Sequence, residues 1–146
     1  MGRSLVFWVF ASLVLATAMN GCVSPRPFDE GPDLIPLKPL DLAGPDGFCE
    51  LSGDRDSPKL DVSVQNIGES ESPSSVTTIE FFPGGSFEIH TPALSGGDSI
   101  ALMPIGIPLV CFDLDCDFRI KVDWRNEVDE SGGEGNNEAD GRCPRF

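Results

Sequence analysis

The chain has 146 residues, of which 24 are acidic and 10 basic, giving a formal net charge of −14 at pH 7. A balance of that sign excludes nucleic acid and anionic lipid surfaces as partners, because both select for clustered Lys and Arg. The length allows one domain whose core buries about two thirds of its extended-chain surface.

The N-terminus comes first. Arg3 is followed by an apolar run from Leu5 to Met19, and the small residue Gly21 directly precedes Cys22. A basic start, a short apolar stretch and a small residue before the cut describe a secretory signal peptide, and the run is shorter than the roughly 20 residues a spanning helix needs. Residues 1–21 are therefore expected to be removed, which takes away Arg3 and no acidic group and moves the balance from −14 to −15. Met19-Asn20-Gly21-Cys22 also resembles the lipobox of bacterial lipoproteins, whose cysteine is diacylglyceryl-modified, freed at its amine and acylated there. Gly21 and Cys22 fit that pattern, whereas Met19 and Asn20 stand in place of its commonest residues. The alternative is an ordinary signal peptide cut near Ala18 or Gly21, leaving Cys22 free or paired. Buried acyl chains contribute about 0.8 kcal/mol per CH₂, so two or three of them anchor a protein without a spanning helix. The resemblance, with Val23 and Ser24 after the cysteine and no Asp in the second place, implies the outer membrane where the cell has one. The proline-rich residues 22–32 read as a semi-rigid linker, residues 33–143 as the domain and residues 144–146 as a tail.

Within the domain the hydrophobic period is two. Leu60, Val62 and Val64 alternate with polar neighbours, as do Phe118, Ile120 and Val122, so both stretches are half-buried strands. Val76 to Phe82 is β-branched and aromatic, and Ser99 to Met103 is a further strand. Asp33-Leu34-Ile35 opens the sheet, and Ser86 to Ile89 is a short edge strand. Turn residues separate them: Asn66 to Gly68, Pro83 to Gly85, Ser95 to Asp98 and Gly132-Gly133. No sustained helical pattern occurs after the signal segment. Short strands at this spacing indicate an all-β, immunoglobulin-like antiparallel sandwich.

Five cysteines are an odd number for an exported chain. Assigning Cys22 to lipid leaves Cys49, Cys111, Cys116 and Cys143, an even set suited to an oxidising compartment and to two disulfides in any of three connectivities.

The segment Leu60-Asp61-Val62-Ser63-Val64-Gln65-Asn66-Ile67-Gly68 is similar to the strand and Asn-x-Gly turn of CARDB domains, the cell-adhesion-related domains found in bacteria. Phe118 to Asp123, then Asn126 to Glu130, then Glu134-Gly135-Asn136-Asn137 resembles that family's closing motif of Val-Asp, Val-x-Glu and an Asn-Asn pair. Pro92 to Gly97 resembles its apolar-then-glycine turn. Together these span Asp33 to Cys143, while Trp124 and Gly132-Gly133 depart from the common pattern. The resemblance implies a seven-stranded sandwich serving as an extracellular binding or adhesion module with no catalytic residues. On the residues themselves, Asn66, Gly68, Asp123, Asn136 and Asn137 suit turns: Asp accepts backbone N–H bonds and Asn tolerates left-handed geometry. A loop-borne ligand or calcium site is the alternative.

Calcium takes six to eight oxygens. Asp113, Asp115 and Asp117 have the spacing that opens an EF-hand loop, but Phe118 stands in place of its glycine and Trp124 in place of its bidentate glutamate, so that reading fails. Glu127, Asp129, Glu130 and Glu134 form the remaining candidate, equally ordinary as a solvated loop. An immunoglobulin-type topology puts the loop before the Leu60 strand, the loop before the Phe118 strand and the C-terminus at one end, and with them all four domain cysteines. Cys111 and Cys116 are then most simply a local bridge, leaving Cys49 for Cys143. A zinc site from the same four thiols is the runner-up and requires reduced thiols outside the cytoplasm.

Enzyme readings find little support. His90 is the one histidine, tyrosine is absent, and no nucleophile elbow, phosphate-cradling loop or His-rich metal motif occurs. The expected function is a non-catalytic envelope module, bound to the membrane through Cys22 and to an unknown envelope protein, surface protein or glycan. A structural envelope lipoprotein serving assembly is the alternative.

Overall fold

A computed structural model of the chain describes residues 31–38, 48–54, 57–112, 115–130 and 134–143. Its elements are β1 (Leu34–Leu37), β2 (Glu50–Asp54), β3 (Ser57–Asp61), β4 (Ser63–Asn66), β5 (Ser75–Phe82), β6 (Gly85–Thr91), β7 (Ser99–Ala101), β8 (Ile105–Gly106), a 3-10 turn at Leu109–Phe112, β9 (Cys116–Lys121) and β10 (Glu138–Cys143). Every strand pairing is antiparallel. The expected signal peptide, Cys22, most of the linker and the tail lie outside the described residues.

The alternating run through Leu60, Val62 and Val64 is extended as expected, yet its hydrogen bonds divide at Val62. Upstream, β3 lies between β2 and β8; downstream, β4 lies between β1 and β7. β1 and then β2 run along this partner from Asn66 back to Ser57, and β7 and then β8 do the same on its other side. Across the break the Leu102 amide still donates to the Val62 carbonyl at 2.8 Å. The two short sheets are thus two ends of one layer of three interrupted strands. The second layer holds four strands in the order β10-β9-β5-β6. Three and four make the seven-stranded, immunoglobulin-like sandwich.

Period-two burial fills the space between the layers. Leu34, Leu60, Val62 and Val64 from the first layer meet Ile79, Phe81, Phe118, Ile120 and Val122 from the second, none more than 3% exposed. Each such side chain contributes about 1.5–3 kcal/mol relative to solvent exposure. Phe118 tilts against Phe81 with ring centroids 5.9 Å apart, and Gly141 lies opposite Phe118 in register. A Cβ at Gly141 would fall on the Phe118 ring, so glycine there sets how closely β10 approaches. The outward face of β9 and β10 is a ladder of opposite charges: Arg142 to Asp117 at 2.6 Å, Arg119 to Asp140 at 2.7 Å and Lys121 to Glu138 at 3.2 Å. Such solvated pairs are screened by water, so the ladder fixes register more than it adds stability.

Candidate functional site

The motif residues converge on the loops that enter β1, leave β4 and join β9 to β10. Asn66 is fully buried at the end of β4. Its Oδ1 accepts the amides of Asp33 at 3.0 Å and Gly68 at 3.1 Å, and its Nδ2 donates to the carbonyls of Ser70 at 2.8 Å and Leu94 at 3.0 Å. One amide thereby ties the approach to β1 and the 94–98 turn to the loop after β4. Gly68 allows it, because a Cβ there would overlap the Asp33 amide and the Pro32 carbonyl carbon. Asp123 does comparable work after β9. It is 2% exposed, adopts a left-handed φ of 47°, and accepts the Glu127 amide at Oδ1 and the Val128 amide at Oδ2, at 3.1 and 2.9 Å. These two are turn architecture with their hydrogen-bonding capacity spent inside the fold.

Glu130 is the unexpected member. A carboxylate in a loop reads as solvated, yet this one is 1% exposed, and its Oε1 accepts the Leu34 amide at 3.1 Å. Asn137, 5% exposed, hydrogen-bonds the same carboxyl through its side chain. Glu130 Oε2 and Asn137 Oδ1 have no partner among the described residues. Burial pushes the Glu130 carboxyl up from its ordinary range, with the Asn137 and Leu34 hydrogen bonds opposing and the charges of Glu134 and Asp33 adding to the rise. The neighbouring Asn136 donates from Nδ2 to Asp33 Oδ1 at 3.0 Å, so the Asn-Asn pair and Glu130 fasten the β9–β10 loop to the start of β1.

The calcium candidates separate accordingly. Glu130 points into the fold, Glu127 and Asp129 are exposed, and Glu134 lines a cleft with Asn137. Among the described residues no three acidic, histidine or cysteine side chains gather as a cation would need, because the loop spends Asp123 and Glu130 on backbone amides. Cys49 is bridged to Cys143 and Cys111 to Cys116, with Cα–Cα separations of 5.3 and 5.2 Å within the usual disulfide range. Cys143 pairs with Cys116 across β10 and β9, so both bridges share one end of the sandwich, and no thiolate set is left for zinc.

No protein-family model and no curated protein matches the chain. Solved structures do. It is similar to the CARDB domain of a Pyrococcus furiosus protein determined in complex with di-metal ions, with a TM-score of 0.56 and 20% identity over 80% of this chain and 90% of that one. It is equally similar to a domain of a Methanosarcina acetivorans cell-surface protein, with a TM-score of 0.56 and 18% identity over 79% and 92% of the two chains. This chain has the CARDB fold. Within it, Asn66, Gly68, Asp123, Asn136 and Asn137 are the residues that fold the loops of one region, and the sequence signature is largely a signature of their hydrogen bonds. The buried role of Glu130 was signalled only by the Val-x-Glu step, in which Val128 and Glu130 are buried and Asp129 between them is exposed.

Glu130 gives this CARDB fold a testable pH dependence. A carboxyl whose pKa is raised by folding contributes stability below its unfolded value and loses it as pH rises through the folded one. Glu130→Gln, which keeps the acceptor for Leu34 without the charge, is expected to gain on the parent in melting temperature more at about pH 7 than at about pH 4. Glu130→Ala orphans the Leu34 amide and should cost about 1–3 kcal/mol at either pH. Thermal melts of the three proteins across that range check both.

Proposed function

We propose that the chain is an exported, non-catalytic binding module of the cell envelope, held at the membrane by lipid on Cys22 and making its contacts through the β9–β10 loop region. The CARDB fold carries this reading, since one of its solved relatives is a domain of a cell-surface protein. A non-catalytic role is supported by the use of Cys49, Cys111, Cys116 and Cys143 in disulfides and by the position of His90, exposed on β6. The linker of residues 22–32 sets the domain off the bilayer, and the negative charge directs it toward neutral or basic partners.

Cys22→Ser is expected to shift the protein from the membrane to the soluble fraction with both disulfides intact; retention in the membrane fraction refutes the anchor. In-cell crosslinking of the parent protein then identifies the neighbour. An external surface supports adhesion, and capture solely of components of the same envelope replaces it with an assembly role.

A further inference from the structure

Trp124 is an aromatic residue that the turn architecture does not explain. It stands 48% exposed in the loop after β9, where an apolar ring of that size loses by facing water. The loop nevertheless holds it in place. Its backbone amide donates to the Val76 carbonyl at 3.1 Å, and the Arg125 guanidinium lies 6.0 Å from its ring centroid, itself fixed by Glu88 at 2.7 Å. Asn126, two residues on, takes a left-handed φ of 56°, closing the turn beneath. A rigid aromatic surface of this kind binds with little loss of side-chain entropy.

Trp124 borders a cleft of about 130 Å³ together with Lys121, Asp123, Asn126, Glu134, Asn137 and Glu138. That volume suits one small ring rather than a drug-sized apolar molecule. Besides Trp124, Val122 and Lys121 the lining consists of amides and carboxylates, which match neighbouring hydroxyls able to donate and accept at once. Asn137 supplies the most telling side chain: it borders the cleft, is nearly enclosed and hydrogen-bonds Glu130, and its Oδ1 is buried without a partner. A buried acceptor in that condition costs about 1–3 kcal/mol unless a donor reaches it.

Charge narrows the ligand further. Lys121 is occupied by Glu138 at 3.2 Å, so Glu134 leaves the cleft negative and unwelcoming to phosphates, uronates and sulfated chains. A cation is disfavoured because no three acidic, histidine or cysteine side chains among the described residues are placed to hold one, and of the three acids at the cleft Asp123 is taken up by two backbone amides and Glu138 by Lys121. We infer that this cleft binds a neutral saccharide, one sugar ring stacking on Trp124 while its hydroxyls bond Asn126, Glu134 and Asn137. The inference rests on the binding-module reading and names its ligand class.

Trp8 and Trp124 are the two tryptophans of the chain, so in the full chain carrying Trp8→Phe the indole emission reports on Trp124 alone. Titration with neutral oligosaccharides (cellohexaose, chitohexaose and mannohexaose) is expected to give a saturable shift with at least one, and polygalacturonate none. By calorimetry, Trp124→Ala should weaken that binding about tenfold or more, and Trp124→Phe should retain part of it, with the melting temperature of both unchanged. The inference is overturned if none of the three sugars shifts the emission, if binding survives Trp124→Ala undiminished, or if polygalacturonate binds as well. In-cell crosslinking of the parent protein to a neighbour, together with no emission shift from any of the three sugars, would overturn the saccharide site and leave the binding-module reading standing.

Discussion

Replacing Cys49 and Cys143 together by serine is expected to lower the unfolding free energy by about 4.5 kcal/mol, against about 2 kcal/mol for the pair Cys111 and Cys116. The difference follows from loop length: the first bridge closes a sequence separation of 94 and the second one of 5. A cross-link removes conformations from the unfolded chain in proportion to the logarithm of the loop it closes, so the long bridge dominates even though the two lie side by side. Native geometry adds to its share. The long bridge fastens the lead-in to β2, a strand whose burial is slight, to the last residue of β10, an edge strand. Without it both edges depend on backbone pairing and on exposed or half-buried polar side-chain contacts. Urea unfolding of the two double variants measures the contrast; equal losses would show that local packing, not chain entropy, sets the contribution of these bridges.

That region also marks the boundary of what the residues disclose before folding. Strands with a buried face announced themselves: β9 and the β3–β4 run carry Val, Ile, Leu or Phe at alternate core positions, and β5 is β-branched and aromatic with Ile79 and Phe81 inward, because one face of each meets the opposite layer. Strands β2, β8 and β10 did not. β10 reads Glu-Ala-Asp-Gly-Arg-Cys, with Gly141 and Cys143 as its buried positions, so its extended form comes from partners. The charge ladder to β9, the space Gly141 leaves for Phe118 and the bridge at Cys143 supply what propensity lacks. The division of one strand into β3 and β4 was hidden too, since Val62 is as apolar and buried as its neighbours. Among loop residues, Asn66, Gly68 and Asp123 were legible as turn formers because their chemistry is local. Glu130, read from sequence as one of four loop acids open to a cation or to solvent, turns inward to its partner Leu34, which lies 96 residues away. Trp124 stood out only as a departure from the family pattern, and its cleft exists only once Asn137 and Glu134 are brought beside it.

Asn66→Ala is expected to destabilise the domain by about 3–5 kcal/mol, a loss comparable to that of the long disulfide. The side chain is small and its burial contributes little; the effect arises from what it leaves behind. Removing the amide strands the Asp33 and Gly68 N–H groups and the Ser70 and Leu94 carbonyls, at a position with no solvent exposure. The backbone of Asn66 is committed as well, donating to the Asp98 carbonyl at 2.9 Å and accepting from Gly97 at 2.8 Å, so the chain cannot move aside to let water in without opening the 94–98 turn. Asn66→Asp separates donor from acceptor roles. It preserves the oxygen facing Asp33 and Gly68 but sets a second, charged oxygen against the carbonyls of Ser70 and Leu94, so it should lose at least as much as alanine at about pH 7 and recover part of it on acidification, when the carboxyl can donate. Hydrogen exchange at the Asp33 and Gly68 amides gives the local readout: both should exchange faster in Asn66→Ala, whereas in Asn66→Asp they should stay protected relative to the global opening. A loss under about 1 kcal/mol in Asn66→Ala, with those amides unchanged, would mean that the loops are held by the flanking strands and that the Asn-x-Gly turn is a consequence of the CARDB fold rather than one of its causes.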